Sequence, residues 1–482
     1  LSRHRGSWLA RSALAATLHK KPFEEREVSK RYAFWRKPDG KAYRQQDAKH
    51  APRGVLSRIG GLAFVNNAKE VSWDALSYDR FFIPIYSSII ILDPQNIELD
   101  ADVTRDIVAQ VLDAIISRDG PKAPIDPSAF LRLVDAYAAK HFRRPKSEYV
   151  FVASLSIKDF PSRPFRFLGS QITPLTSRRK YPYPESPSAT SFGWPIEQHV
   201  NATEYTHIAV HVESITHAEA GSHALNTLDT LTGLWNLLLS HRQWHLLPGV
   251  RQSPILGVIH YGPIHTLHQP NGDPVGDFCW YNSSYKTDSK LYCPKNGWAS
   301  TKRKFGHITK RLLSLEYHQP LLRLLGRYGA ALNTNDSGVA FLQLWSVIEH
   351  ITDTVGARYE ETSKRASWIY DDHEIGQDMM EAMRRNRNVY VHSAKEDRQA
   401  DQMALLLKSI VDDHLLRLVF NQFGVASIDE YAQIISLSSD LTVLQNRMRH
   451  TRLGLRAARR KHASVQNPET TRLPSIIYQR GK

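Results

Sequence analysis

From about residue 303 onward, apolar residues recur at helical spacing almost without interruption, and this change of pattern constrains the chain more than any other feature. Arg303 to Leu332 keeps the spacing, with Pro320 marking a break or a first-turn position. Asn335-Asp336-Ser337 offers an N-cap for Val339 to Ile351, and the stretches Ile375 to His392 and Gln402 to Phe423 follow, the latter stopped by Gly424. Ser427-Ile-Asp-Glu430 has capping-box spacing and opens a further short helix. Four or five helices on short connections predict a bundle over residues 301–440.

Before residue 300 the pattern is mixed. Between 95 and 143 it is helical, with apolar positions 107, 108, 111, 112, 115 and 116 in register and prolines at 121, 124 and 127 punctuating it. Tyr149 to Ile157, Phe165 to Thr176, Tyr205 to Val212 and Ile255 to His268 are short β-branched or aromatic runs that predict strands, and Asn271-Gly272 predicts a hairpin connection. Leucines at 225, 228, 231, 234 and 238 line one helical face between them. The expected fold class is therefore α+β: a basic arm over 1–60, a mixed α/β domain over 61–300, an all-α bundle over 301–440, and a basic helix and tail over 441–482. No Gly-rich phosphate loop of Walker or dinucleotide type is present.

Charge points to polyanions. The net charge is +15, and residues 1–60 hold fifteen Lys/Arg against five Asp/Glu while residues 447–482 hold ten against one. Two basic ends attract RNA, DNA or a ribosomal surface, or serve only as solubilising tails. The acid-free first 23 residues formally resemble an organellar transit peptide, but no clean amphipathic period accompanies them and a basic arm is expected. Its aromatics Tyr32, Phe34, Trp35 and Tyr43 are open to two uses, stacking on bases or packing in a core. Two cysteines without a C-x-x-C pair suit a reducing cytosol, and the most apolar run, Phe81 to Leu92, is too short to span a bilayer. A cytoplasmic protein with no membrane partner is expected.

The candidate chemistry lies at Arg387-Asn388-Val389-Tyr390-Val391-His392. Histidine moves a proton to or from a ribose 2′-hydroxyl near neutral pH, and a guanidinium holds a phosphate and stabilises developing charge. That combination needs no metal and no cofactor. On a continuous helix, Ile375, Met379, Met383 and Tyr390 form the buried stripe, and Asp378, Glu381, Arg385, Asn388 and His392 share the opposite face. Arg387 then points about 140° away from His392, leaving Arg385 aligned with it. Arg-Asn-Arg-Asn is a poor helix interior, however, and a break near 386–388 would turn Arg387 toward His392. Both arginines stay candidates. His207 and His211, with His199, His217 and His223 close in sequence, match no known ligand spacing, and no metal site is expected from them.

Arg387-Asn388-x-x-x-His392 resembles the R-x4-6-H signature of the HEPN superfamily, with the Arg-Asn opening common among its ribonucleases, and Arg385 to His392 fits as R-x6-H. Phe341 to Glu349 is similar to the preceding helix of the Apea-like branch, and the resemblance covers roughly 303–440. It implies a HEPN-like helical bundle that dimerises and brings two motifs together across the interface. Many members cut RNA without metal in toxin or antiphage defence systems, while others only bind. Carried onto this chain, His392 acts in proton transfer, Arg387 contacts the scissile phosphate and Asn388 positions one of them. Glu349 orients His392, pairs with an arginine, or makes a structural salt bridge. A trigger or restraining partner is expected at the N-terminal domain, because a toxic nuclease needs restraint. The alternative is a non-catalytic RNA- or partner-binding module. A DNA-binding regulator has no helix-turn-helix or zinc finger to support it.

Overall fold

Trp35 sits among the basic N-terminal residues in sequence, yet it is only 1% exposed. In the computed structural model, residues 31–466 are described except 38–41, 44–48, 66–70, 74, 95–97, 100, 122–123, 161–162, 176–204, 241–255, 277–278, 283–290, 296, 356–358, 371, 394–399 and 439, with side chains at 75–79, 281, 373, 389–393 and 460–466 also outside the description. Trp35 belongs to β1 (Ala33–Arg36), which pairs antiparallel with β2 (Ala42–Tyr43) and β5 (Ile89–Ile91). Its ring stacks on Phe130 at 6.3 Å between centroids, and Asp135 accepts the backbone N–H groups of Tyr32 (2.5 Å) and Ala33 (2.9 Å). Phe34 and Tyr43 are buried too, so three of the four aromatics offered for base stacking are core residues.

The chain divides into two compact units, one of residues 1–155, 160–228 and 262–283, the other of 156–159, 229–261 and 284–482. In the first, α1 (Arg53–Ile59), α2 (Ala75–Ser87), α3 (Ala101–Asp119) and α4 (Pro127–Phe142) accompany the small sheet and the ribbon of β3 (Ala63–Val65) and β4 (Val71–Trp73). All six apolar positions expected on one face of α3 are buried. Pro127 begins α4, where its missing N–H costs nothing, and Asp126 caps it by accepting from Ala129 N at 2.7 Å.

The larger sheet of this unit comprises β6 (Ser147–Leu155), β7 (Phe165–Phe167), β8 (Ser170–Leu175), β9 (Thr206–Ser214), β10 (Ile264–His268) and β11 (Trp280–Tyr281), in the order β11-β10-β6-β9-β8-β7. Every pairing is antiparallel. Central β6 is buried at every position from 150 to 155, which is why it reads as a continuous apolar run. The Asn271-Gly272 connection follows β10, with Gly272 at φ +99°. The strand expected over 255–268 begins only at 264. Residues 258 and 259, in the second unit, are held by Asn236, whose Oδ1 accepts from Val258 N (2.9 Å) and Ile259 N (3.0 Å) and whose Nδ2 donates to Ile259 O (3.0 Å). A buried amide replaces a strand ladder there.

Asn236 lies on α5 (His217–Leu239), which is buried all round from 230 to 237 instead of along one leucine face. The second unit also contains α6 (Gly297–Leu313), α7 (His318–Asn333), α8 (Ser337–Ile351), α9 (Tyr359–Ala366), α10 (His373–Ser393), α11 (Ala400–Val419), α12 (Ile428–Ile435) and α13 (Leu441–Gln466). A Cβ on Gly233 of α5 would sit on the Leu325 carbonyl oxygen of α7, and one on Gly329 of α7 on the Asp229 carbonyl oxygen. Backbone meets backbone at this crossing, which only glycine permits. Pro320 falls in the first turn of α7, and α8 starts at Asp336, which accepts from Gly338 N (2.8 Å) and Val339 N (3.0 Å).

One helix boundary differs from expectation. α11 ends at Val419, four residues before the expected stop, because Asn421 and Gly424 both take positive φ and Asn421 accepts the Val425 N–H at 2.8 Å. The stretch 303–332 is two helices, α6 and α7, parting just before Pro320, the position at which a break or a first turn was expected. The structure is thus mixed α/β, with sheets in its N-terminal region and a helical C-terminal part. No described helix is long and apolar enough to cross a membrane.

Buried His414 of α11 ties three elements together: its Nδ1 lies 2.7 Å from Tyr431 Oη of α12 and its Nε2 3.0 Å from Ala366 O of α9. Burial pushes its pKa down to about 4, from an ordinary 6.5. The folded state therefore resists a proton that the unfolded chain accepts, so stability is full above pH 6.5 and is lost as pH falls toward 4. Between pH 7.5 and pH 5 this residue removes about 2 kcal/mol. Urea unfolding of wild type and His414→Gln at both pH values measures it, and an equal pH slope in the two proteins refutes the assignment.

Candidate functional site

The site grows from α8. Its apolar residues Ala340, Phe341, Leu344, Val347, Ile348 and Ile351 are buried, with α7 and α11 packed against the helix. Trp345 is buried with them, and its indole N–H donates to Glu349 Oε1, one turn later, at 2.9 Å. Burial raises the pKa of the half-buried Glu349 carboxyl, opposed by that hydrogen bond and by the positive charge of Arg387. The positive charge of Arg387, on the motif helix, thus reaches the Glu349 carboxyl.

α9 supplies the third member. After α8 the chain is fastened by a run of hydroxyls, Thr352 to Thr354 at 2.8 Å and Thr354 to Thr362 at 2.7 Å, and by Arg365, which donates to Thr352 O at 2.6 Å and pairs with Glu361 at 2.9 Å. These bonds fix the start of α9. Tyr359 is its first residue, and the Arg387 guanidinium lies over the Tyr359 ring at 4.7 Å from the centroid. Arg387 Nε is buried and meets no hydrogen-bond partner among the described residues. The cation lies over a π face, and its charge reaches the Glu349 carboxyl without an ion pair between them among the described residues.

α10 runs unbroken through Arg-Asn-Arg-Asn, from His373 to Ser393. Its buried stripe is nevertheless rotated from the expected one: Gly376, Met380 and Met383 are buried, while Ile375 is 57% exposed. Gly376 sets the rotation, since a Cβ there would approach the Tyr370 ring to 2.7 Å. Arg387 continues the stripe at helical spacing and is half-buried. No break is needed to bring it inward.

Arg385 faces the other way. Its side chain is 75% exposed and it pairs at 3.3 Å with Glu381, which also takes a two-pronged bond from Arg384 at 2.6 Å. Those two arginines, Arg384 first, hold the Glu381 carboxyl below its ordinary pKa. Asn388 is half-buried, and its side chain makes no hydrogen bond among the described residues. His392 lies in the last turn of α10, and its side chain falls outside the described residues. On an unbroken helix, positions 385, 388 and 392 share a face, with 392 about 140° round from 387. The structure brings together Arg387, Glu349 and Tyr359 and leaves Arg385 apart from them.

Tyr359 was not legible as a site residue. Nothing in Tyr-Glu-Glu-Thr-Ser-Lys-Arg-Ala announces a packed helix, and only a pairing of aromatic and arginine across 28 positions could have hinted at it. The histidines of the first unit take separate partners: His211 Nδ1 lies 3.3 Å from Glu148 Oε1, and His223 Nδ1 3.0 Å from Ser214 Oγ. His199 lies outside the described residues. Among the described residues no three His, Cys, Asp or Glu side chains come together in a metal-holding group.

No family model matches this chain, and no curated protein or solved structure matches it either.

Proposed function

We propose that the chain is a metal-independent endoribonuclease of HEPN type, acting in the cytoplasm in a toxin or antiphage-defence role. The observation that carries this reading is Arg387, a motif arginine held over Tyr359 and beside Glu349 in the helical unit. His392 takes the proton of a ribose 2′-hydroxyl. The 2′-oxygen bonds to phosphorus, the bond from phosphorus to the 5′-oxygen breaks, and the departing oxygen takes a proton from solvent. The products are a 2′,3′-cyclic phosphate and a 5′-hydroxyl. Arg387 stabilises the charge that builds on the phosphoryl oxygens. Asn388 orients the imidazole or the phosphate, and Glu349 and Tyr359 act through Arg387 as positioning residues.

An unbroken α10 does not aim positions 387 and 392 of one chain at a single phosphate. A homodimer through the helical unit does, by pairing Arg387 of one copy with His392 of the other. Mixing Arg387→Ala and His392→Ala subunits then restores about a quarter of wild-type activity, since half the dimers are mixed and each holds one complete site. Cleavage of RNA by the wild type in chelator, with 2′,3′-cyclic ends, is the companion result. Activity that requires added metal sinks the nuclease reading. A mixture no more active than its parts sinks the shared site. Salt-sensitive RNA binding without any cleavage products identifies the chain as a binding module instead.

A further inference from the structure

α13 is 26 residues long, contains no acidic residue and is exposed along nearly its whole described length. Asp440 starts it, accepting from Thr442 N (2.7 Å) and Val443 N (3.3 Å). Arg449, Arg452, Arg456 and Arg459 recur at i, i+3, i+7 and i+10, all exposed and none in an ion pair among the described residues. At 100° and 1.5 Å per residue they fall within an arc of about 80° and form a row about 15 Å long. A helix that charged, with no acid to offset it, is stabilised by a partner carrying a matching row of negative charge.

We propose that this arginine row is a docking surface for the phosphodiester backbone of an RNA strand, separate from Arg387. That the strand is RNA rests on the nuclease reading above; that the surface takes a polynucleotide rests on α13 alone. Repeated fixed anions suit a row of forked cations one helical turn apart. A second copy of the helix would meet it with like charge. A membrane surface is disfavoured because α13 has no Trp, Tyr or Phe, and exposed Val443 and Leu453 stand off the face of Leu441, Met448 and Leu455.

The test uses the full chain, wild type and Arg449→Ala/Arg452→Ala/Arg456→Ala/Arg459→Ala, with a labelled single-stranded RNA of about 20 nucleotides, long enough to offer several phosphates. Fluorescence anisotropy across salt concentrations is expected to show at least tenfold weaker binding at low salt and a log–log salt slope shallower by about 3. The four side chains support nothing in the described fold, so the melting temperature stays unchanged. The corresponding four-lysine variant retains most of the binding. An unchanged slope overturns the proposal, as does a tighter hold on duplex DNA, on phosphatidylserine vesicles or on polyglutamate of matched charge. Cleavage of a dinucleoside monophosphate, too short to use the row, separates the two readings. Unaltered turnover in the four-alanine variant beside weakened RNA binding supports the docking surface. Absent cleavage of both the dinucleotide and the longer RNA by either protein, with the binding difference intact, refutes the nuclease and spares the surface.

Discussion

On the proposed nuclease reading, replacing Arg387 by alanine is expected to lower RNA cleavage by about 10²–10³-fold, the loss typical of removing one oriented donor that stabilises transition-state charge. Arg385→Ala costs less than about tenfold, because its exposed guanidinium is spent on Glu381 in a pair worth at most about 1 kcal/mol. The contrast follows from preorganisation. Arg387 is held over Tyr359 beside Glu349, whereas Arg385 must leave both solvent and an ion pair to reach a phosphate. Tyr359→Leu removes the π face while keeping the packing and falls between the two. Its loss resides in kcat, with KM nearly unchanged, if the ring orients the arginine for the transition state. Initial rates on one RNA for the three variants decide the matter. Equal losses at 385 and 387 would remove the site from the inward face of α10.

The second large effect is on stability. Lys408→Ala destabilises the helical unit by about 3–5 kcal/mol, because it leaves the Asp412 carboxylate buried without its cation. Lys408 Nζ lies 2.5 Å from Asp412 Oδ2, Tyr328 donates to Oδ1 at 2.6 Å, and both members of the ion pair are under 6% exposed. The pair lies within one turn of α11, and the Tyr328 hydroxyl joins it to α7. Lys408→Met/Asp412→Leu/Tyr328→Phe recovers most of the loss, since it leaves neither a charge to desolvate nor a buried hydroxyl without its acceptor. Urea midpoints measure both variants. A single variant as stable as wild type would mean that Asp412 finds water in the unfolded pair's place.

Legibility in the sequence followed the physics of each element. α3 was readable because one face is purely apolar, and α8 because its cap and its apolar run coincide. α9 was invisible because it buries Thr362, Ser363 and Ala366, small residues that leave no hydrophobic period, with Thr362 held through its hydroxyl bond to Thr354. The rotation of α10 was hidden for a related reason. Gly376 contributes nothing to a periodicity count, yet the close approach of Tyr370 that it permits turns Ile375 outward and Arg387 inward. The motif could be read for candidate chemistry; the direction in which Arg387 points could not, since that depends on which neighbours a glycine admits.

The crossing of α5 and α7 supplies a signature for recognising relatives. Gly233 and Gly329 each abut the other helix's backbone, so neither position tolerates a side chain while the crossing persists. An arginine and a histidine a few positions apart recur in unrelated chains, and a catalytic pair can decay when a lineage keeps only binding. A homologue that has lost its histidine but kept its architecture would still carry both glycines, some ninety-six positions apart. They follow the architecture, whatever becomes of the motif.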